Sequence, residues 1–262
     1  MDLIYFIIGM LLIGSFLLLY MYSQAFTDRV LNQEIRLKEF PESFGSVKIF
    51  FISDIHKRII QDSIINEVKG KADLVVIGGD LAEKGVPLER VSANIEKLKT
   101  IAPVFFVWGN NDYEFNSHEL DSLLYHLGVK VLDNTAVKFE SGTGDVLHIL
   151  GIDDLGLGKS RLDLAISDAD EEGFRILVSH NPAIVNSLKP EYNISLVLSG
   201  HTHGGQIRVF GFGPYELGGI KMKNGATVLT SNGYGTTGVP LRLGARAETH
   251  LLTLVADSKT AD

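Results

Sequence analysis

The sequence predicts an α/β protein in which two mainly β layers pack together with helices outside, preceded by an N-terminal transmembrane helix. Three observations lead there. Residues 3–22, LIYFIIGMLLIGSFLLLYMY, carry no charge over about the length that a membrane-spanning helix needs. From residue 47 onward, short apolar runs alternate with helical patterns. The second half then holds more strand than helix.

The apolar run is read as an uncleaved anchor over residues 1–24. Tyr5, Tyr20 and Tyr22 stand near its ends, where amphipathic rings favour the membrane interface. A secretory signal peptide is the rival, because Ser23, Gln24 and Ala25 supply the small residues of a cleavage site. Against it, the run exceeds a typical signal core and no Lys or Arg precedes it. Arg29, Arg36 and Lys38 follow the span, which points to a single-pass cell-membrane protein with its body on the cytoplasmic side. Residues 25–46 are polar and mixed, include Pro41 and Gly45, and read as a linker to a domain over 47–256.

Runs 47–52, 74–77 and 104–107 are rich in Val, Ile and Phe and predict buried strands. Between them, residues 87–100 place Val91, Ile95 and Leu98 on one helical face, with Pro87 suited to the first turn. Residues 116–127 form the clearest helix: Asn116 caps it, Glu119 stands three residues on, Leu120, Leu123, Leu124 and Leu127 form a stripe, and Gly128 ends it. Further strands are predicted at 146–150, 176–178, 194–198, 206–209, 227–229 and 250–254.

Of the 262 residues, 45% are hydrophobic and 21% charged, the balance of a folded chain. A net charge of −8 with no basic stripe argues against nucleic acid as a partner. Phosphate substrates stay open, since bound cations dominate a local field. Cysteine is absent, which excludes thiolate catalysis, cysteine zinc sites and disulfides.

What ends the strands is more informative. FFISDIH delivers Asp54 and His56; VVIGGD delivers Asp80; FFVWGNND delivers Asn110, Asn111 and Asp112. ILVSHNP delivers His180, and LVLSGHTHGG delivers His201 and His203. Any one has an ordinary explanation, as a turn or cap residue or a hydrogen-bonded core histidine. Five together mark the strand edge where ligands gather in open α/β sheets. The x-separated pairs Asp54/His56 and His201/His203 send both outer side chains to one side, and glycines such as Gly109 and Gly200 let backbone approach an ion closely. His201 and His203 are therefore expected to face metal ions as neutral imidazoles.

In order, Asp54-x-His56, Gly79-Asp80, Gly109-Asn110-x-Asp112, His180 and Gly200-His201-x-His203 resemble the five motif blocks of the calcineurin-like metallophosphoesterases, across roughly residues 47–254. The GHTHGGQ form and the tail containing Asn232-Gly233-Tyr234-Gly235 and Pro240-Leu241-Arg242 are most similar to a bacterial membrane- or envelope-associated branch. The resemblance implies a four-layer α/β/β/α sandwich holding two divalent ions. Asp54, His56, Asp80 and His203 would hold one ion; Asp80, Asn110, His180 and His201 would hold the other, with Asp80 bridging. Ligands of N and O without S suit Mn, Fe or Zn. The implied activity is hydrolysis of a phosphodiester, phosphoanhydride or phosphomonoester, in a small-molecule or lipid-linked substrate, by a metal-bridged hydroxide. A catalytically inactive metal-binding scaffold of the same fold is the alternative.

One position departs from the pattern. The third block usually carries a histidine where this chain has Asn111, and asparagine donates a hydrogen bond but supplies no proton. Asn111 is thus expected to touch a phosphoryl oxygen, and Asp112 to orient a neighbour from behind the metal. The substitution favours leaving groups that need little protonation; UDP-diacylglucosamine pyrophosphatases, which carry arginine there, are a second alternative. His118 and His126 are candidate replacement acids, though the helical stripe makes them surface residues. His148 and His250 read as structural, and Lys57 and Arg58 as solvated loop charges with phosphate contact as the alternative. Residues 210–215 (FGFGPY) and Tyr234 read either as a substrate groove or as packing aromatics.

Overall fold

Apolar side chains fill both faces of the central strands, and this sets the layering. The computed structural model describes residues 2–169 and 172–257. Its first half runs α1 (Asp2–Ala25), β1 (Val30–Leu37), β2 (Ser46–Ile52), α2 (Asp62–Val68), β3 (Leu74–Ile77), α3 (Leu88–Lys99), β4 (Val104–Phe106), α4 (Ser117–His126) and β5 (Lys130–Val131). The second half runs β6 (Thr135–Glu140), β7 (Val146–Gly151), α5 (Leu162–Asp168), β8 (Phe174–Val178), β9 (Ile194–Ser199), β10 (Gly219–Lys223), β11 (Ala226–Thr230) and β12 (Thr249–Ala256).

Two six-stranded sheets result, ordered β1-β12-β2-β3-β4-β5 and β10-β11-β9-β8-β7-β6. The strands β2 to β5 pair in parallel, as do β7, β8, β9 and β11. Side chains alternate faces along each strand. Ile49, Phe51, Val76 and Phe105 of the first sheet meet Ile149, Ile176, Leu196 and Leu198 of the second in one shared core. Phe50, Ile52, Val75 and Ile77 point the other way, onto α2, α3 and α4. Leu150, Leu177 and Val197 likewise cover Ala165 of α5 and the turn at Ile184 and Val185. The chain is a four-layer α/β/β/α sandwich, and burial on both faces explains the unbroken apolar runs of its strands.

The helices follow the sequence rules. Asn116 caps α4 by accepting from the Glu119 amide, Leu120 and Leu124 are buried, and Gly128 leaves it at φ +70°. Three readings are corrected. Part of the stretch expected to be a linker is β1, an edge strand that pairs in parallel with β12; Ile35 and Leu37 turn inward between exposed Glu34 and Arg36, so its polar half hides the pattern. The strand expected at 206–209 is absent, because Gln206 and Phe210 take positive φ (53° and 51°) and only isolated bridges form at Ile207 and Val209. Arg58 is neither solvated nor aimed at a phosphate. It is buried, donates to the carbonyls of Ala25, Phe26, Thr27 and Tyr234, and pairs with Asp28.

Arg58 thereby receives the end of α1, whose last carbonyls have no helical partner. Arg242 N donates to Met21 O at 3.0 Å beside it. The rest of α1 projects with its apolar side chains exposed, and Leu3–Ala25 is long and apolar enough to cross a membrane.

His250 is structural. Its ring sits between Gln33 Oε1 (2.7 Å) and Ser231 Oγ (3.0 Å), and burial, helped by Arg29, pushes its pKa down to about 3. A histidine held neutral in the fold contributes stability fully above its unfolded pKa of about 6.5, and loses it as the pH falls towards 3. Between pH 6.5 and 5 this group alone should cost about 2 kcal/mol. Urea unfolding of wild type and H250Q at both values checks this: the variant's stability should fall less over that interval.

Candidate metal centre

The turns that follow the strands are stitched to one another before any side chain is considered. Asp54 N donates to Gly79 O (3.0 Å), and the amides of Ile55 and His56 donate to Asp80 O (2.8 and 3.1 Å). Asp112 is fully buried after β4 and accepts from the amides of Asp80, Gly109 and Ala82, each at 2.9 Å. It fastens the β3 and β4 turns together. Burial, with Asp80 nearby, pushes its pKa up to about 7 against the bonds from Ala82 and Gly109. Contacts that cross between the sheets include His180 Nδ1 to Gly78 O at 2.9 Å, His201 N to Asp54 Oδ1 at 3.0 Å and Tyr234 N to Ser53 O at 2.9 Å.

This stitching holds unfavourable backbone. Asp54, His56, Asp80, His201 and His203 all take φ between 49° and 71°, the left-handed region that non-glycine residues seldom enter. Such strain costs roughly 1–3 kcal/mol per residue and collects at functional sites. The glycines answer a different need. A Cβ at Gly109 would strike Asp80, and one at Gly200 would strike Asp54 and Ser53.

The result is a run of facing donor atoms. Asp54 Oδ1 lies 3.4 Å from His203 Nε2, which lies 3.1 Å from His56 Nε2. His56 Nε2 lies 3.7 Å from Asp80 Oδ2, and Asp80 Oδ2 lies 3.2 Å from His180 Nε2. His180 Nε2 in turn lies 3.2 Å from His201 Nδ1. Two groupings close enough to hold an ion emerge, Asp54 with His56 and His203, and Asp54 with Asp80 and His180. Asn110 Oδ1 is buried without a hydrogen-bond partner.

These atoms fit divalent ions. A tetrahedral ion with bonds of about 2.1 Å sets its donors about 3.4 Å apart, and the separations observed are 3.1 to 3.7 Å. His180 donates from Nδ1, so its neutral ring turns a lone pair towards the Asp80 carboxylate, an arrangement that calls for a cation between them. Without an ion, protons take that part. Burial works against charge on His180, but Asp80 and Asp54 lift its pKa to about 10. Burial likewise opposes charge on Asp80, yet His180, His56 and Asn111 hold it well below the ordinary carboxylate range. His203 goes the other way: burial, with His56 and Arg242 adjacent, drives it to about 3, so it stays neutral, the form that ligates.

Asp54, His56, Asp80, His180, His201 and His203 lie along this run, and Asn110 lines the cleft with Asp80, His201 and His203. Asn111 is engaged differently from the expectation: its amide nitrogen donates to Asp80 Oδ2 at 2.7 Å and its backbone to Oδ1 at 2.8 Å. His118 and His126 are exposed on α4, and Tyr234 packs over the Arg58 guanidinium at 3.7 Å instead of lining a groove. A cleft of about 260 Å³ opens above the site between Asp80, Asn111, His201, Pro214, Tyr215 and Thr237.

Four residues escape the sequence reading. Glu83 Oε2 lies 2.9 Å from His56 Nδ1, out of line for a hydrogen bond but near enough to fix the ring's charge environment. Arg242 is fully buried behind His203. Asp153 and Asp154 follow β7; Tyr113 donates to Asp153, and Asp154 Oδ2 is buried without a partner. The stretch HILGIDD carries the same strand-then-carboxylate signal as the other blocks, so this pair was findable.

A model of calcineurin-like phosphoesterases matches residues 47–205. The uncharacterised Bacillus subtilis protein YpbG is 50% identical over 208 residues, 79% of this chain and 80% of its own length. A Danio rerio transmembrane protein with a metallophosphoesterase domain is 32% identical over 247 residues, 84% of this chain but 56% of that protein, so the chain spans little more than half of it. The Escherichia coli phosphodiesterase YaeI is 30% identical over 239 residues, 84% of this chain and 86% of its own. With the donor atoms gathered at the strand ends, the chain belongs to the calcineurin-like family of metal-dependent phosphoesterases.

Proposed function

We propose that Asp54, His56, Asp80, Asn110, His180, His201 and His203 hold two divalent ions, of Mn, Fe or Zn, and that the chain is a membrane-anchored phosphohydrolase. The observation that carries this is the unbroken run of donor atoms at ion-binding separation; Asn110, which lines the same cleft, has its side-chain oxygen buried without a hydrogen-bond partner. Bound ions would supply Lewis acidity, lowering the pKa of water and offsetting charge on the phosphoryl oxygens. The chain's own residues do the rest. Asp112 and the strand turns fix the ligands in place, and five of the site's residues share left-handed backbone of the kind that collects at functional sites.

Asn111 sets the reaction class. Its amide hydrogens serve as donors to Asp80 and to a phosphoryl oxygen in the cleft, but it protonates no leaving group. His118 and His126 are exposed on α4 and do not line the cleft. The favoured substrates are therefore activated diesters or anhydrides, in keeping with the activity in the E. coli relative's name. Anchoring through residues 3–22, with Arg29, Arg36 and Lys38 on the cytoplasmic side, brings a lipid-linked ester within reach.

The test is to purify the full chain in detergent, load it separately with Mn, Fe and Zn, and assay phosphomonoesters, diesters, nucleotide-sugar anhydrides and lipid phosphates. Anhydride or activated diester turnover should exceed that of an alkyl monoester at least tenfold. N111H should raise the monoester rate by roughly 10²-fold by restoring a proton donor. Equal wild-type turnover on the alkyl monoester would sink the assignment of Asn111.

A further inference from the structure

The turn Val209-Phe210-Gly211-Phe212 is the least protected apolar feature of the folded body. Phe210 is 96% and Phe212 82% exposed. Single exposed apolar residues are ordinary, but two nearly naked phenylalanines at one tip are not. The tip is also built, not loose. Val209 and Phe212 bond each other's backbone at 2.9 Å both ways, and Gly211 supplies φ +84°. Arg208, the nearest charge, spends its guanidinium on the carbonyls of Gly204, Gly211 and Tyr215 inside the loop. From Val209 to Tyr215 no side chain carries charge.

The base of this turn is tied to the anchor. Leu243 exchanges backbone bonds with Gln206 (2.9 Å) and Arg208 (2.8 Å), and its neighbour Arg242 donates to Met21 O of α1 (3.0 Å). Met21 lies between Tyr20 and Tyr22, with the Phe26 ring tilted against Tyr22 at 4.6 Å, the aromatic girdle expected at the water interface. Gln206 also holds the carbonyls of Thr237 and Val239, so a second lip with Val239 exposed flanks the same cleft.

We propose that the Phe210–Phe212 turn is a second membrane contact, inserted at the headgroup boundary of the bilayer that α1 spans, which sets the mouth of the metal centre against that surface. The occupant is the lipid bilayer because the turn springs, two backbone pairings away, from the interfacial end of a membrane helix. It rests on the reading of α1 as an anchor, and it deepens the proposed substrate class to phosphoesters carried in or on the bilayer. Amphipathic tips that place aromatics at the acyl boundary bind by buried apolar area.

The chain lacks cysteine, so F210C takes one fluorescent label, and T143C, on the β6–β7 connection at the opposite end of the strands, serves as control. Both full-length variants are reconstituted in phosphatidylcholine–phosphatidylglycerol vesicles with and without acyl-brominated lipid. The F210C label should emit blue-shifted light and lose at least threefold more intensity to brominated lipid than the T143C label. Equal quenching of both by aqueous iodide overturns the proposal. Shielding from iodide without quenching by brominated lipid assigns the turn to a protein partner or a second copy, and overturns it too. In parallel, the F210S/F212S double variant should keep hydrolysis of a soluble chromogenic diester within twofold and lose at least tenfold on a lipid phosphate in vesicles; an unchanged lipid rate counts against insertion. Loss of all diesterase activity in wild type would sink the proposed reaction while the label still reports the turn, and release of wild type by alkaline carbonate would sink the anchor.

Discussion

Asp80→Ala should lower turnover by roughly 10³-fold or more and reduce bound metal from two ions per chain to one or none, with the fold retained. The carboxylate stands where the two halves of the site meet. Its Oδ2 faces His56 and His180, and both its oxygens accept from Asn111. Asp54, which belongs to both ion-sized groupings, is the other carboxylate that reaches both sides. The fold should survive because what Asp80 gives the scaffold is backbone: its carbonyl accepts from Ile55 and His56, and its amide donates to Asp112. Alanine keeps those groups, although its Cβ must still hold φ near 52°. Elemental analysis of reloaded protein, circular dichroism and diester turnover together check the result. A variant that binds both ions and turns over normally refutes the centre. One that loses metal without affecting a measurable wild-type rate points instead to the scaffold reading, in which the ions organise a surface and do no chemistry.

How much of this was legible depends on the physical range of each signal. The ligands stood out because a strand buried on both faces is a continuous apolar run, and a carboxylate or imidazole at its end interrupts it visibly. The long apolar run of α1 stood out for the same reason. Edge strand β1 did not, since only Ile35 and Leu37 face inward and its partner β12 is more than two hundred residues away. Arg58 was misread because a charge in a loop is usually solvated; only the placement of α1 shows that open helix carbonyls are what it serves. Strand 206–209 failed where alternation was outvoted by positive-φ residues that the Arg208 guanidinium holds in a tight loop. Glu83 carried no local signal at all. Its role comes from lying beside His56, a relation set by the turn after β3.

Arg242 is the clearest case of a residue that only the folded chain explains, and R242M should destabilise the protein by at least about 3 kcal/mol. The guanidinium is fully buried. It donates to the carbonyls of His203, Asn232, Gly233, Gly235 and Ala245, with the shortest bonds, 2.6 Å, to Asn232 and Gly235. Those two claim both hydrogens of Nη2, so Gly233 O at 3.2 Å and His203 Nδ1 at 3.1 Å feel the charge with at most a shared hydrogen. Burial pushes the pKa of Arg242 down to about 10 while Asp54 and Glu248 support it, so it remains charged at neutral pH. Methionine fills the space but leaves the buried carbonyls of Asn232, Gly235 and Ala245 without that donor, while those of Gly233 and His203 keep the amides of Glu248 and Gln206; each orphaned group costs on the order of 1–3 kcal/mol unless water reaches it. R242K should fall between, since an ammonium offers three donors in place of a fork of five. The loss should be local before it is global: hydrogen exchange should rise first at 233–235 and 243–245, and metal affinity should weaken about 10- to 100-fold as His203 loses its backing. Full stability and unaltered exchange in R242M would show that the carbonyl cluster finds other donors, and that the loop behind His203 is held by packing alone.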